Sequence, residues 1–437
     1  MTARPIPSLA DSSLLRYAFF AMLYAAQGIP YGLLVVALPA YMAERGISAT
    51  AIGAFVGTIL LPWSLKLING PVMDRWTLRP MGRRRPWVIA AQSLLVLSLV
   101  ALAFVPDPLG QLSLLAALGF LANFGTAFQD VAVDGLAIEV VPMDEQARAN
   151  GFMWGGRTVG LALATTGSAR LMEASGLGAA ALACAAVLTA IMVLPALIRE
   201  RPGERLLPWT AGEPSPVPAD DQPATFARIG GDLLRVMLLP SSLIVMGSVF
   251  LYAFAHGLWT SGLPVVTVQE LGWDDTWYAD VMAAVGVGSG IFGMVVGGFL
   301  VEAAGRVRGL AGAIGILALI TAGMGLLPDL WADQGVMTAW VGAYTVIRVL
   351  SSIAFFATAM ALCWGRVSAT QYALYMAVSN LGQTAGAASL GPIHQTIGSA
   401  VLFLVMTALF GVAVAVLWFV DLEGHQDGIK RLEQGAG

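Results

Sequence analysis

Apolar runs long enough to cross a bilayer recur from one end of this chain to the other, and nothing else in it constrains the fold as tightly. The hydrocarbon core of a membrane takes about 20 apolar residues of helix, and backbone inside it must satisfy its own hydrogen bonds. The runs predict twelve helical spans, near 14–42, 51–73, 87–105, 111–141, 150–173, 177–198, 238–268, 276–303, 309–328, 335–365, 370–394 and 399–420. Only 11% of the 437 residues are charged, whereas a soluble domain carries about 25%. The expected class is an all-α integral membrane protein with twelve transmembrane helices. The first run, from Leu14 past Tyr41, is too long for the apolar core of a cleaved leader. Cys184 and Cys363 lie inside spans and suggest neither a disulfide framework nor a metal site. No cofactor is expected.

The basic residues test this count. With both termini inside, 18 of the 23 Lys and Arg fall in cytoplasmic segments and two, Arg45 and Arg170, in outer loops. Positive residues favour the cytoplasmic side, so the bias predicts both the orientation and an even number of spans. The other three, Lys66, Arg157 and Arg348, fall within spans. The chain then divides into a six-span half at 1–198, a linker at 199–236, a second half at 237–420 and a tail at 421–437. The prolines and charges of the linker read as an exposed connection.

The halves repeat. "AQGIPYG" at 26–32 has a counterpart in "AHGLWTSG" at 255–262, and "LPAYMAERG" at 38–46 in "LPVVTVQELG" at 263–272. Gly70 with Asp74 matches Gly298 with Glu302, and "DEQARANGFM" at 144–153 aligns with "SATQYALYM" at 368–376. Four matches at similar offsets, near 222–229, argue for a duplicated six-helix unit. Two parallel halves with a site between them is one of the ways transporters are built.

The loop "NGPVMDRWTLRPMGRRRPW", 69–87, resembles the signature Gly-x-x-x-Asp-Arg followed by Gly-Arg-Arg of the major facilitator superfamily, with about five extra residues between its parts. "LPWSLKLINGPVMDRW" (61–76), "QDVAVDG" (129–135) and "SATQYAL" (368–374) further resemble the branch holding muropeptide permeases, acetyl-CoA transporters and some siderophore permeases. The resemblance implies the major facilitator fold, two pseudo-symmetric six-helix halves. It also implies a secondary active transporter of a bacterial inner membrane that works by alternating access. In that reading Asp74, Arg75, Arg83, Arg84 and Glu139 form a cytoplasmic gate. Asp74 would pair with an arginine or cap a neighbouring helix end. The arginine triplet at 83–85 equally suits a headgroup anchor.

Asp130 and Asp134 lie one turn apart in the fourth span, on a stripe with Asn123 and Ala127. An Asp at the centre of a span costs about 2.5–3.5 kcal/mol, so this face should line a cavity. Lys66, Arg157 and Arg348 are the buried cations to answer it, and cations facing a cavity suit an anionic or carboxylate-bearing solute. Gln27 and His256 hold matching places beside glycines, and Tyr31 and Tyr344 complete the candidate pathway. Asp130 is the expected proton site, or a structural partner of Lys66 or Arg157. Asp134 and Glu139 are alternatively acids that close against Arg83–Arg85. Trp63, Trp87, Trp259, Trp277 and Trp331 read mostly as an interface belt. The expected partners are a small-molecule solute, protons and the lipid bilayer, not nucleic acid, and a monomer suffices to make the site. The function expected is proton-coupled import of a muropeptide-like or siderophore-like solute. The alternatives are an efflux pump and, remotely, a membrane acyltransferase, for which three histidines and no catalytic constellation give little material.

Overall fold

The computed structural model describes residues 8–434 except 48, 65, 77–78, 214–224 and 274. Arg4 of the charge tally and the middle of the linker lie outside the described residues. The described chain is built of helices: α1 (Ser13–Tyr31), α2 (Leu38–Glu44), α3 (Ala49–Ser64), α4 (Lys66–Arg75), α5 (Arg85–Ala103), α6 (Leu112–Val140), α7 (Gln146–Leu197), α8 (Phe226–Met237), α9 (Pro240–Pro264), α10 (Asp275–Phe292), α11 (Gly298–Ala304), α12 (Arg306–Leu326), α13 (Gln334–Ala361), α14 (Ser368–Leu417) and α15 (Leu422–Gln434). Ten described helices are long and apolar enough to cross a membrane. Two expected boundaries fall inside α7 and α14, at Gly176 (φ 82°) and Gly398 (φ 71°). A φ this positive with ψ near 170° is open to glycine and closed to side-chain-bearing residues. Each glycine therefore ends one helix and starts the next, consistent with twelve spans.

The chain forms two compact units. One comprises residues 1–145, 152–230 and 365–373, the other residues 146–151, 231–364 and 374–437. In the first, α6 packs on α1, α3, α4 and α5. There α1 also crosses α7 with almost no side chain between them. A methyl at Gly156 would stand 2.1 Å from the Ala21 carbonyl oxygen, one at Gly160 would stand 2.3 Å from that of Ala25, and one at Gly28 would stand 2.3 Å from that of Arg157.

The second unit repeats this crossing between α9 and α14. Gly382 meets the Phe250 carbonyl, Gly386 that of Phe254, and Gly257 that of Gln383. The duplication read from sequence is thus carried in the contacts: the same three glycines fit the same three carbonyls on equivalent helices. Small residues permit backbones to approach where lipid supplies no hydrophobic drive for helices to associate. Each first helix also passes into a π-helical turn, Gly32–Ala37 after Pro30 and Val265–Glu270 after Pro264. Proline cannot donate the backbone bond that would keep the helix regular.

Candidate functional site

In the first unit the polar residues of α1, α3, α4, α6 and α7 gather at one place. Lys66, at the start of α4, forms an ion pair with Asp130 of α6. One turn along, Asp134 accepts a hydrogen bond from the Tyr24 hydroxyl of α1. Both carboxylates are 4% exposed. Trp63 of α3 lies between the cations, with the Lys66 ammonium 4.5 Å and the Arg157 guanidinium carbon 5.7 Å from its ring. Its indole N–H donates to Asn123 Oδ1 at 3.2 Å. Trp63 is thus a cation-binding face inside the cluster rather than part of a lipid-facing belt.

Two polar groups in this cluster have unused capacity. The half-buried Arg157 guanidinium makes no hydrogen bond or ion pair with a described residue. The Gln27 residue is 1% exposed, and neither its amide nitrogen nor its oxygen has a hydrogen-bond partner among the described residues. Buried polar groups are otherwise almost always satisfied. Gln27 and Arg157 sit at the same level, because the neighbouring Gly28 packs on the Arg157 backbone. Tyr31, half-buried at the end of α1, makes no hydrogen bond to a described residue.

The second unit holds an aromatic counterpart. Trp259 of α9 stacks on Tyr344 of α13 with ring centres 3.6 Å apart and planes within 9°. His256 Nδ1 lies 3.2 Å from the Tyr344 hydroxyl. Arg348, one turn beyond Tyr344, is within electrostatic reach of His256, Tyr344 and Tyr252. Trp259 and Trp331 are 3% and 7% exposed, so both are buried where an interface belt was expected. Trp277, 45% exposed, fits that expectation.

The expected gate residues also meet. Asp74 accepts from Arg84 Nη2 at 2.6 Å and from the Thr370 amide and hydroxyl at 3.1 and 2.7 Å. It therefore both pairs with an arginine and caps the first turn of α14. Arg84, fully buried, also donates to Glu139 at 2.9 Å and to Ser368 at 3.2 Å. Arg83 reaches the Gly365 carbonyl at 3.0 Å and lies 3.5 Å from Glu139. Arg75 lies against the rings of Trp76 and Phe226. Asp134 takes no part here, because Tyr24 holds it. In the second unit Arg148 pairs with Glu302 at 2.6 Å, and Gly298 packs on the Arg148 backbone as Gly70 packs on that of Thr370.

Two residues of these networks are missed by sequence reasoning. Tyr24 looks like any aromatic in an apolar run. Glu200 looks like a solvated linker charge, yet it is 3% exposed and accepts backbone N–H bonds from Arg83, Arg84 and Arg85 at 2.9, 2.8 and 2.5 Å. It occupies the N-terminus of α5, where orphan donors favour an anion. Arg85 ties the same stretch down through the carbonyls of Ile198, Arg205 and Leu206. The start of the linker is therefore packed, correcting the expectation of a wholly exposed connection. One signal was present: Gly82, whose φ of 97° and lack of a side chain admit the Glu200 carboxylate. Burial, then the nearby Glu139, push the Glu200 carboxyl up to about 7, against the pull of the backbone donors.

The sequence matches the profile of the Major Facilitator Superfamily over residues 20–387. The anhydromuropeptide permease of Escherichia coli (strain K12) is 30% identical over 373 residues, 84% of this chain and 72% of that protein. Among solved structures, the Escherichia coli fucose:proton symporter superposes with a TM-score of 0.68 at 13% identity, covering 93% of this chain and 98% of that one. The human organic anion transporter MFSD10 gives 0.67 at 12% identity, covering 92% and 99%. At such identities the structural likeness is one of fold.

Proposed function

The chain belongs to the Major Facilitator Superfamily and is a multi-pass membrane transporter, not an enzyme; from that premise we propose that it imports an anionic, carboxylate-bearing solute together with protons by alternating access. The observation that carries this reading is the Arg157 guanidinium, set over Trp63 and beside the unsatisfied Gln27 amide. A guanidinium grips a carboxylate through two parallel hydrogen bonds, and the amide offers one donor and one acceptor for orientation. Within the second unit, Trp259 stacked on Tyr344 forms a flat aromatic surface of its own, with Arg348 one turn from Tyr344. The relative named for anhydromuropeptides makes that class the first to try.

The Asp74–Arg84–Glu139 network and the Arg148–Glu302 pair act in this reading as locks of the cytoplasmic side. Both termini then lie in the cytoplasm, the membrane is the bacterial inner membrane, and one copy of the chain suffices.

The test is a thermal-shift measurement on the detergent-purified chain with anhydromuropeptides, carboxylate siderophores and acyl-CoAs in turn. A ligand at about 100 times its Kd stabilises the fold by about 2.7 kcal/mol. We expect a shift with the anhydromuropeptides that is lost in Arg157→Ala. A shift that survives Arg157→Ala moves the anion site elsewhere. No shift with any of the three sets removes the substrate class and brings export of another solute forward.

A further inference from the structure

The first unit contains two carboxylates on one helical face, and their partners differ in kind. Asp130 is paired with an ammonium, whereas the described partner of Asp134 is the neutral hydroxyl of Tyr24. The charged and titratable groups around Asp134 are Tyr24 on α1, Lys66 on α4, Asp130 on α6 itself and Arg157 on α7, with Tyr372 of α14 beside Tyr24. Lys66 is committed to Asp130. Arg157 is the remaining cation, and it makes no bond to Asp134.

Resting on the import reading above, we propose that the proton that travels with the solute is carried by Asp134, held by the Tyr24 hydroxyl, while Asp130 stays ionised as the fixed partner of Lys66. The charge count supplies the coupling. With the site empty of solute, two cations face two carboxylates. A solute carboxylate bound at Arg157 claims one of the cations, and Asp134 is left as a second negative charge one turn from Asp130 in a medium that screens poorly. A proton entering from the open side bonds to an Asp134 carboxyl oxygen and restores neutrality. When the cavity opens to the other side the solute leaves Arg157, that O–H bond breaks, and the proton departs to water. One proton then accompanies each solute carboxylate held by Arg157.

Infrared difference spectra of the purified, full-length chain between alkaline and acidic buffer read this directly, and need no solute. Beside the stretch of Glu200, which Glu200→Gln removes, we expect a second carbonyl stretch of a protonated carboxylic acid that is missing in Asp134→Asn and retained in Asp130→Asn. In Tyr24→Phe it moves to higher frequency, since the carbonyl loses its hydrogen bond. A band lost in Asp130→Asn but kept in Asp134→Asn overturns the assignment. So does an unmoved band in Tyr24→Phe, a test that stands even where the aspartate variants fail to fold. Absence of the band in the wild-type chain also sinks it.

A companion measurement separates this inference from the reading it rests on. Wild-type chain in vesicles containing a pH-sensitive dye is given external anhydromuropeptide. Uptake with no acidification of the lumen ends the proton-import reading, whatever the infrared band shows. Coupled uptake that continues unchanged in Asp134→Asn leaves import standing and removes Asp134 as the carrier.

Discussion

At the scale of single residues, the site is decided by what each buried polar atom can reach. The Lys66–Asp130 pair was legible in the sequence because an acid inside a span needs a cation, and only three were on offer. Tyr24 was not, because a tyrosine in an apolar run makes the same helical stripe whether its hydroxyl meets a carboxylate or nothing. The platform role of Trp259 was hidden likewise: sequence places an indole near a span end without saying whether lipid or Tyr344 covers it. Glycines follow the same logic of contact. Gly28→Ala drives a methyl into the Arg157 backbone, and overpacking of this kind costs about 1–3 kcal/mol. Gly167→Ala, with open space at its would-be methyl, should be neutral or stabilise by up to about 1 kcal/mol through helix propensity. Melting temperatures of the two variants in detergent check the contrast, and an equal effect would refute the close crossing of α1 and α7.

At the scale of elements, the spans themselves were easy to read because their signal is the length of an apolar run. The start of the linker was not, since charge and proline describe solubility and say nothing of a partner 115 residues earlier in the chain. Glu200 gives this packing a pH signature. Its folded pKa of about 7 lies above its ordinary value of 4.5, so the folded chain holds that proton more tightly than the unfolded chain does. The associated stability is complete below about pH 4.5 and is lost as pH rises through 7. With one pKa unit worth about 1.4 kcal/mol, the loss is about 3 kcal/mol. His425 on α15 works in the opposite sense. Burial holds its imidazole below the ordinary value of 6.5, although its bond to the Leu362 carbonyl pulls the other way, so its stability is lost on acidification. Comparing wild type with Glu200→Gln cancels the histidine. The difference in melting temperature between them should change across pH 4.5 to 7, and a constant difference would place Glu200 in water.

At the scale of the whole molecule, the two repeats share a plan and differ in how deeply they bury it. Both place a glycine against a helix start and an acid beside it: Gly70 and Asp74 on Thr370, Gly298 and Glu302 on Arg148. The first network is sealed, with Arg84 and the Asp74 side chain fully covered. In the second, the side chains of Arg148 and Glu302 are 29% and 21% exposed. Arg84→Ala removes the buried cation that bonds Asp74 and Glu139, leaving them only the more distant, 30% exposed Arg83 side chain, and should cost about 3 kcal/mol. Arg148→Ala breaks a pair partly in water and should cost about 1 kcal/mol or less. Chemical or thermal unfolding of the two variants tests this ranking, and equal losses would contradict it.

The contacts of Asp74 and Arg148 also bear on how such a chain can be inherited. Asp74 is encoded in the first repeat, but the amide and hydroxyl it accepts from are encoded at Thr370 in the second. Arg148 is encoded in the first and its acceptor Glu302 in the second. A gene for the first six-helix half alone would keep Asp74, Arg84 and Glu139 but lack the Thr370 donors and the Glu302 partner of Arg148, and a gene for the second alone would hold Thr370 and Glu302 without Asp74 and Arg148. These contacts are therefore specified by the fused chain and by neither half alone.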